Sequence, residues 1–235
     1  MKDFIKTGCI ICSVFLIFLL LMEWIPSNIH ISTSASSENS PIYCGDRQNP
    51  RIAITFDTEN TAKYLPDILD VLNTYNISAT FFITGKWLDN YPEETRQLVD
   101  SGHELGNHGN NHIAMNQLSE EECRDEIIRL HKKTEELTGF QMTFFRCPFS
   151  SFNNTVIKVA AECGYQTVEW TCDSMDWKIK NAKVIARLLC KDPNLGNGTI
   201  IRMHVDTPFA APALKIIIPK LKERGYEIVP LSQIL

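Results

Sequence analysis

Two histidines four residues apart, His108 and His112, bracket the segment His108-Gly109-Asn110-Asn111-His112. That separation lets two imidazoles meet one cation, either on one helix face or, with Gly106, Gly109 and two asparagines here, by a loop folding back on itself. Four more clusters of ionisable residues follow or end short apolar runs. Asp57 closes Ile54-Thr55-Phe56-Asp57, and Arg146 begins Arg146-Cys147-Pro148-Phe149. Asp173 and Asp176 lie in Asp173-Ser174-Met175-Asp176-Trp177, and Arg202 and His204 end Ile200-Ile201-Arg202-Met203-His204. In an extended strand Arg202 and His204 share a face. Carboxylates and imidazoles at strand ends are groups that can move protons or orient one another, and an imidazole pair at this spacing can hold a cation. Each residue also has an ordinary structural alternative. Asp57 would cap a helix, Arg146 would pair under a loop, His204 would pack neutral in a core, either aspartate would satisfy a turn, and His108 and His112 would lie on the surface.

The elements that must position these groups are read from apolar periodicity. Strands are predicted at 52–56, 79–83, 104–106, 143–146, 166–170, 199–204 and 227–230, and helices at 63–75, 93–101, 120–137, 154–162, 182–190 and 211–224. Short apolar runs alternating with helical patterns are the mark of βα units and a parallel sheet. The helix at 120–137 has the clearest signals, a Ser119/Glu122 capping box at its start and Gly139 at its end. Seven strands with intervening helices fit barrel-like closure, and the chemical residues fall at or after strand C-termini, the end where parallel α/β barrels carry their chemistry.

The 235 residues are 44% hydrophobic and 22% charged, the make-up of a chain that buries a core. A net charge of -5 leaves no basic footprint, so nucleic acid is not expected as a partner. The uncharged run 7–22, preceded by Lys2 and Lys6, reads as an export signal of a length between a cleaved signal and a spanning anchor. Residues 1–25 are expected to be that signal or anchor, 26–48 a polar linker and 49–235 one domain. The domain is then exported, either membrane-anchored through the N-terminal segment or secreted. Six cysteines, Cys44, Cys123, Cys147, Cys163, Cys172 and Cys190, lie beyond the apolar run with no CxxC pair, so one or two disulfides or buried thiols are expected rather than a thiolate zinc site.

Taken in order, Thr55-Phe56-Asp57, His108 to His112, Arg146 to Phe149, Asp173 to Trp177 and Ile201 to His204 resemble the five motifs of the polysaccharide deacetylase (NodB-homology) family, including its sporulation-type and cell-wall members. Ala79-Thr80-Phe81-Phe82 and the approach Gly102 to His108 agree with it, and the likeness runs from about Arg51 to Leu235. The resemblance implies an α/β fold, a distorted seven-stranded β/α barrel. It also implies metal-assisted removal of acetyl groups from N-acetylated sugars of peptidoglycan, chitin-like chains or other surface glycans. Carried over by residue, Asp57 is the base, His204 the acid, Arg146 the residue holding the base and Asp176 the carboxylate tuning the acid. His108 and His112 bind the divalent metal, expected to be zinc, and Trp177, Phe149 and Arg202 line the substrate groove. The sequence departs from the family at three places. Thr58 stands where a second aspartate usually supplies the third metal ligand, leaving Thr58 or Glu59 for that role. Gly109 replaces a serine or threonine, and Arg202 replaces a leucine. The alternative function is a catalytically impaired glycan-binding relative with little or no metal.

Overall fold

The structure, a computed structural model, describes residues 40–235. The expected signal or anchor at 1–25 and most of the expected linker lie outside the described residues. Among those described, no helix is long and apolar enough to cross a membrane.

Among the described residues eight parallel strands form the sheet: β1 Arg51–Asp57, β2 Thr80–Ile83, β3 Glu104–Asn107, β4 Phe144–Phe145, β5 Gln166–Thr167, β6 Cys172–Asp173, β7 Ile200–His204 and β8 Glu227–Ile228. The hydrogen-bonded order is β5-β4-β3-β2-β1-β7-β6, with β8 pairing with the start of β1. The seven-strand path is the expected distorted barrel, with its two ends, β5 and β6, joined by the chain at 168–171 instead of by a ladder. Among the described residues seven α-helices pack around it: α1 Leu65–Thr74, α2 Gly85–Asn90, α3 Pro92–Asp100, α4 Glu120–Thr138, α5 Asn154–Glu162, α6 Ala182–Cys190 and α7 Ala210–Glu223.

Strand alternation sorts the residues. Ile52, Ile54 and Phe56 of β1 and Ile201 and Met203 of β7 join the large core beneath the helices. Ala53 and Ile200 face inward, into a smaller cluster with Phe82, Phe144, Val168, Val229, Leu231 and Ile234. By the same alternation Thr55, Asp57, Arg202 and His204 face the barrel interior. Burial on both faces explains why the strands read as nearly continuous apolar runs. The capping box forms as expected, and Gly139 ends α4 at φ 71°, a backbone setting that glycine takes at little cost.

Three features differ from the expectation. The strand expected at 166–170 ends at Thr167, and a further short strand, β6, starts at Cys172, because at Val168 and Glu169 the carbonyls turn to a side chain instead of a neighbouring strand. Helix α2 was not foreseen, since six residues opened by glycine carry too little periodicity; Thr84 caps it by accepting the Trp87 N–H. Ile42 and Cys44, expected in the linker, already bridge to Val168 and Thr199. The six cysteines from Cys44 onward are all free thiols, four of them buried and Cys44 and Cys163 partly so, in place of the expected alternative of disulfides.

Candidate active site

Parallel pairing brings the chemistry together. In the β1–β7 register Asp57 lies directly beside His204, and the β3–β4 register pairs Asn107 with Phe145, so that His108 and Arg146 leave adjacent strands. The His108 Nδ1 meets the Arg146 carbonyl oxygen at 2.7 Å. A carbonyl only accepts, so Nδ1 carries the proton and Nε2 is left as the lone-pair nitrogen. Burial pushes the His108 pKa down to about 3, so the ring is neutral at physiological pH.

Arg146 is fully buried beneath this floor. Its Nη1 donates to Asp57 Oδ1 at 2.8 Å and to Thr55 Oγ1 at 2.9 Å, while Nε and Nη2 donate to the carbonyls of Val168 and Glu169. The guanidinium plane lies 4.0 Å from the Phe82 ring centroid. One side chain therefore ties β4 to β1, satisfies the carbonyls at the open edge of the barrel and holds the expected base. Burial opposes charge on Asp57, but Arg146, His108 and Arg202 outweigh it and keep the carboxyl well below the usual carboxylate range.

His204 is set by Asp176. The two Asp176 oxygens accept the His204 Nδ1–H at 2.7 Å and its backbone N–H at 3.0 Å. Burial works against a charged ring here, yet the Asp176 hydrogen bond and the nearby Asp57 charge outweigh it and raise the His204 pKa. Arg202, expected to line the substrate groove, donates its Nε–H to Asp57 Oδ2 at 2.9 Å, and its Nη2 lies 3.0 Å from His204 Nε2. Nη1 is 3.4 Å from Asp173, and the guanidinium stacks 4.1 Å from the Trp170 ring centroid. A guanidinium only donates, so this is the geometry of a neutral His204.

The histidine pair converges. Gly109 turns the chain at φ 75°, His112 itself sits at φ 53°, and the two rings are 5.0 Å apart. His112 Nδ1 lies 3.2 Å from Glu59 Oε1, which again leaves Nε2 without a hydrogen-bond partner among the described residues. The third ligand does not arrive. Thr58 is buried, and its hydroxyl accepts the Thr84 N–H at 3.3 Å. Glu59 supports the far nitrogen of His112, and both Asp57 oxygens are taken by arginines. Among the described residues no three His, Cys, Asp or Glu side chains are placed to share one metal ion. Zinc sites use three or four protein ligands; two neutral imidazoles with no available carboxylate do not fit that requirement.

Around this floor stands an open rim. Phe149, 61% exposed, sets its ring 4.5 Å from His112, and Trp177 is 57% exposed. A cleft of about 310 Å³ runs past Glu59, Trp177, His204, Asp206 and Phe209. Four supporting residues were not foreseen. Asp206 accepts the backbone N–H groups of Glu59 and Asn60. Glu126 on α4 accepts both the backbone and the side-chain N–H of Asn111. Glu169 accepts the Ser150 hydroxyl at 2.7 Å, and Trp170 underlies Arg202. Asp206 had a sequence signal, the alternation of Arg202, His204 and Asp206; the others are long-range contacts with none.

The fold and this arrangement define a NodB-type deacetylase architecture, and comparison with known proteins agrees. The family described as polysaccharide deacetylase matches residues 45–168. The chain is 30% identical to the peptidoglycan-N-acetylglucosamine deacetylase PgdA of Listeria monocytogenes, over 89% of this chain and 44% of that protein. It is also 30% identical to the uncharacterized protein YlxY of Bacillus subtilis, over 92% of this chain and 66% of that one. It thus spans less than two thirds of these relatives' length. Among solved structures, BA3943 of Bacillus anthracis, a CE4 family pseudoenzyme, superposes with a TM-score of 0.80 at 31% identity, covering 83% of this chain and 69% of its own. The chain belongs to the polysaccharide deacetylase family.

Proposed function

We propose that this domain acts on N-acetylated glycan of the cell wall and hydrolyses its acetamido groups, with Asp57 as general base and His204 as general acid. The observation that carries the reading is the β1–β7 register, which sets a buried ionised carboxylate beside an imidazole oriented by Asp176, below a rim bearing Phe149 and Trp177. Asp57, held by Arg146, accepts a proton as water bonds to the acetyl carbon. His204, protonated at Nε2, delivers its proton to the sugar nitrogen as the C–N bond breaks, releasing acetate and a free amine. Two of the five Arg202 N–H bonds have no acceptor among the described residues and would be free to donate to the developing oxyanion. The exposed aromatic faces of Phe149 and Trp177 suit sugar rings. Residues 1–25 supply export and, in the anchored form, the membrane attachment; the peptidoglycan deacetylases among the relatives support a cell-surface location.

A second reading, a glycan-binding relative without turnover, is favoured by one specific observation: Arg202 engages both Asp57 Oδ2 and His204 Nε2, the atoms that proton transfer requires. The test measures acetate released from N-acetylated peptidoglycan by the full chain. Release that falls about 100- to 10,000-fold in Asp57→Asn supports hydrolysis. Glycan binding with no acetate above the Asp57→Asn background overturns it in favour of the second reading.

A further inference from the structure

A buried carboxylate with one ion-pair partner is already compensated; Asp57 has two. Arg146 takes Oδ1 and Arg202 takes Oδ2, at 2.8 and 2.9 Å. The two arginines differ in what else they hold. Arg146 is tied into the barrel wall through Thr55 and two main-chain carbonyls. Arg202 instead reaches along its own strand to the reactive nitrogen of His204, with Asp173 at its outer edge and the Trp170 ring beneath it. Its side chain keeps 18% of its surface exposed, so it borders the groove while Arg146 does not. Trp170 and Asp173 fix the guanidinium plane from below and from the side, which makes this a held position.

We infer that Arg202 is the resident cation of this site: its charge takes the place beside Asp57 and His204 that a divalent metal's charge would serve, and while it is seated there the site does not take up metal tightly. The inference rests on the reading of Asp57 and His204 as the reactive pair. Three observations converge on it. The carboxylate that would attract a dication is doubly neutralised. The donors left over are His108 and His112, both neutral nitrogens, while the Thr58 hydroxyl is spent on Thr84. A dication drawn to those two nitrogens would also face the positive charge of Arg202, while the nearby carboxylates not held by arginine, Glu59 and Asp206, are engaged by His112 Nδ1 and by the Glu59 and Asn60 backbone N–H groups. The substitutions at 58 and 202 therefore belong together. Losing the anionic ligand removes the reason for a metal, and the added guanidinium supplies the missing positive charge.

The test titrates zinc into the full chain and measures bound metal by elemental analysis, without glycan, so the outcome is independent of whether acetate is released. Wild type and Thr58→Asp are expected to hold well under one zinc per chain. Thr58→Asp combined with Arg202→Leu should hold about one, with affinity roughly 10- to 100-fold above Thr58→Asp alone. Arg202→Lys in the Thr58→Asp background should restore exclusion, because the charge is kept. A second readout is the His204 imidazole titration followed by NMR. Arg202→Leu should shift it upward by removing a neighbouring cation, and Arg202→Lys should leave it near wild type. Cooperative thermal unfolding shows which variants are folded, and Arg202→Gln replaces the leucine variant if that one fails. One tightly bound zinc in wild type, a Thr58→Asp variant that binds as tightly as the double variant, or a His204 titration indifferent to Arg202→Leu would each overturn the inference.

Discussion

The floor of the site and its rim are built on opposite terms. On the floor, Asp57, Arg146 and Asp176 are buried at strand ends or packed against them; Asp57 and Arg146 pair their charges, and Asp176 is hydrogen-bonded to His204. On the rim, His112, Phe149, Ser150 and Met175 hold left-handed backbone at φ between 51° and 58°. Each such residue costs about 1–3 kcal/mol, a cost tolerated where a side chain must be aimed. The difference teaches that stability and charge are concentrated where strands converge, whereas contact with ligand is set by strained loops that the floor holds in place. Glu169 connects the two: its carboxyl, pushed up by burial, accepts from Ser150 in the strained turn, and its main-chain oxygen accepts from Arg146 on the floor.

The most damaging way to test that contrast is Arg146→Met. Removing the guanidinium strips Asp57 of its fully buried partner and orphans the Val168 and Glu169 carbonyls. A loss of about 3–5 kcal/mol in urea unfolding is expected; a loss under about 1 kcal/mol would mean that the floor does not stabilise the fold. The pH dependence sharpens the point. The folded pKa of Asp57 is depressed, so its contribution is complete above the unfolded value of about 3.9 and is lost as pH falls toward the folded one. Acid unfolding of Arg146→Met should therefore begin at higher pH than in wild type. Next in size is Asp176→Asn, which weakens a hydrogen bond to an ionisable ring, an effect of about 1.5–3 kcal/mol. The folded pKa of His204 is raised, so its contribution is present below about pH 6.5 and fades as pH rises through the folded value. The variant should lower the imidazole pKa seen by NMR and flatten that slope; an unchanged titration would separate His204 from Asp176.

On the rim the expected effects are smaller and one reverses sign. Trp177→Ala should change stability by no more than about 0.5 kcal/mol, as for an exposed position, while weakening binding of an N-acetylated oligosaccharide measured by calorimetry. Equal affinity in the variant would remove Trp177 from the groove. Phe149→Gly relieves a left-handed φ of 58° and is expected to gain about 1 kcal/mol in thermal unfolding while glycan affinity falls. A net destabilisation would show that the Phe149 contact with His112 outweighs the strain.

The distribution of what could be read beforehand follows from the range of the forces involved. Helices α5 and α6 were legible to the residue, because caps at Asn153 and Asn181 and helical spacing act within a few positions. The break between β5 and β6 was not, since it depends on Arg146 arriving from 22 residues away to take the Val168 carbonyl. The site residues were named from five motifs, and the structure gathers the side chains of Asp57, Arg146, Arg202, His204 and Asp176 into one linked set. The bonds of Arg202 to Asp57 and His204 had no sequence signal, because alternation tells which face a side chain occupies and not which group it meets there.

The amino-acid sequence by itself determined the parallel α/β plan, the strand ends that carry ionisable groups, the replacement of a ligand aspartate by Thr58 and the presence of an extra cation at position 202. The plan and the strand ends are matters of residue type and local period, and the departures at 58 and 202 are read from the family resemblance. Only the tertiary structure decided that Arg202 bridges Asp57 and His204, that Thr58 turns to Thr84 and that Glu59 stands behind His112. Those pairings depend on ladder register and on competition among several charges for the same few oxygens, which is settled only when strands distant in sequence lie side by side.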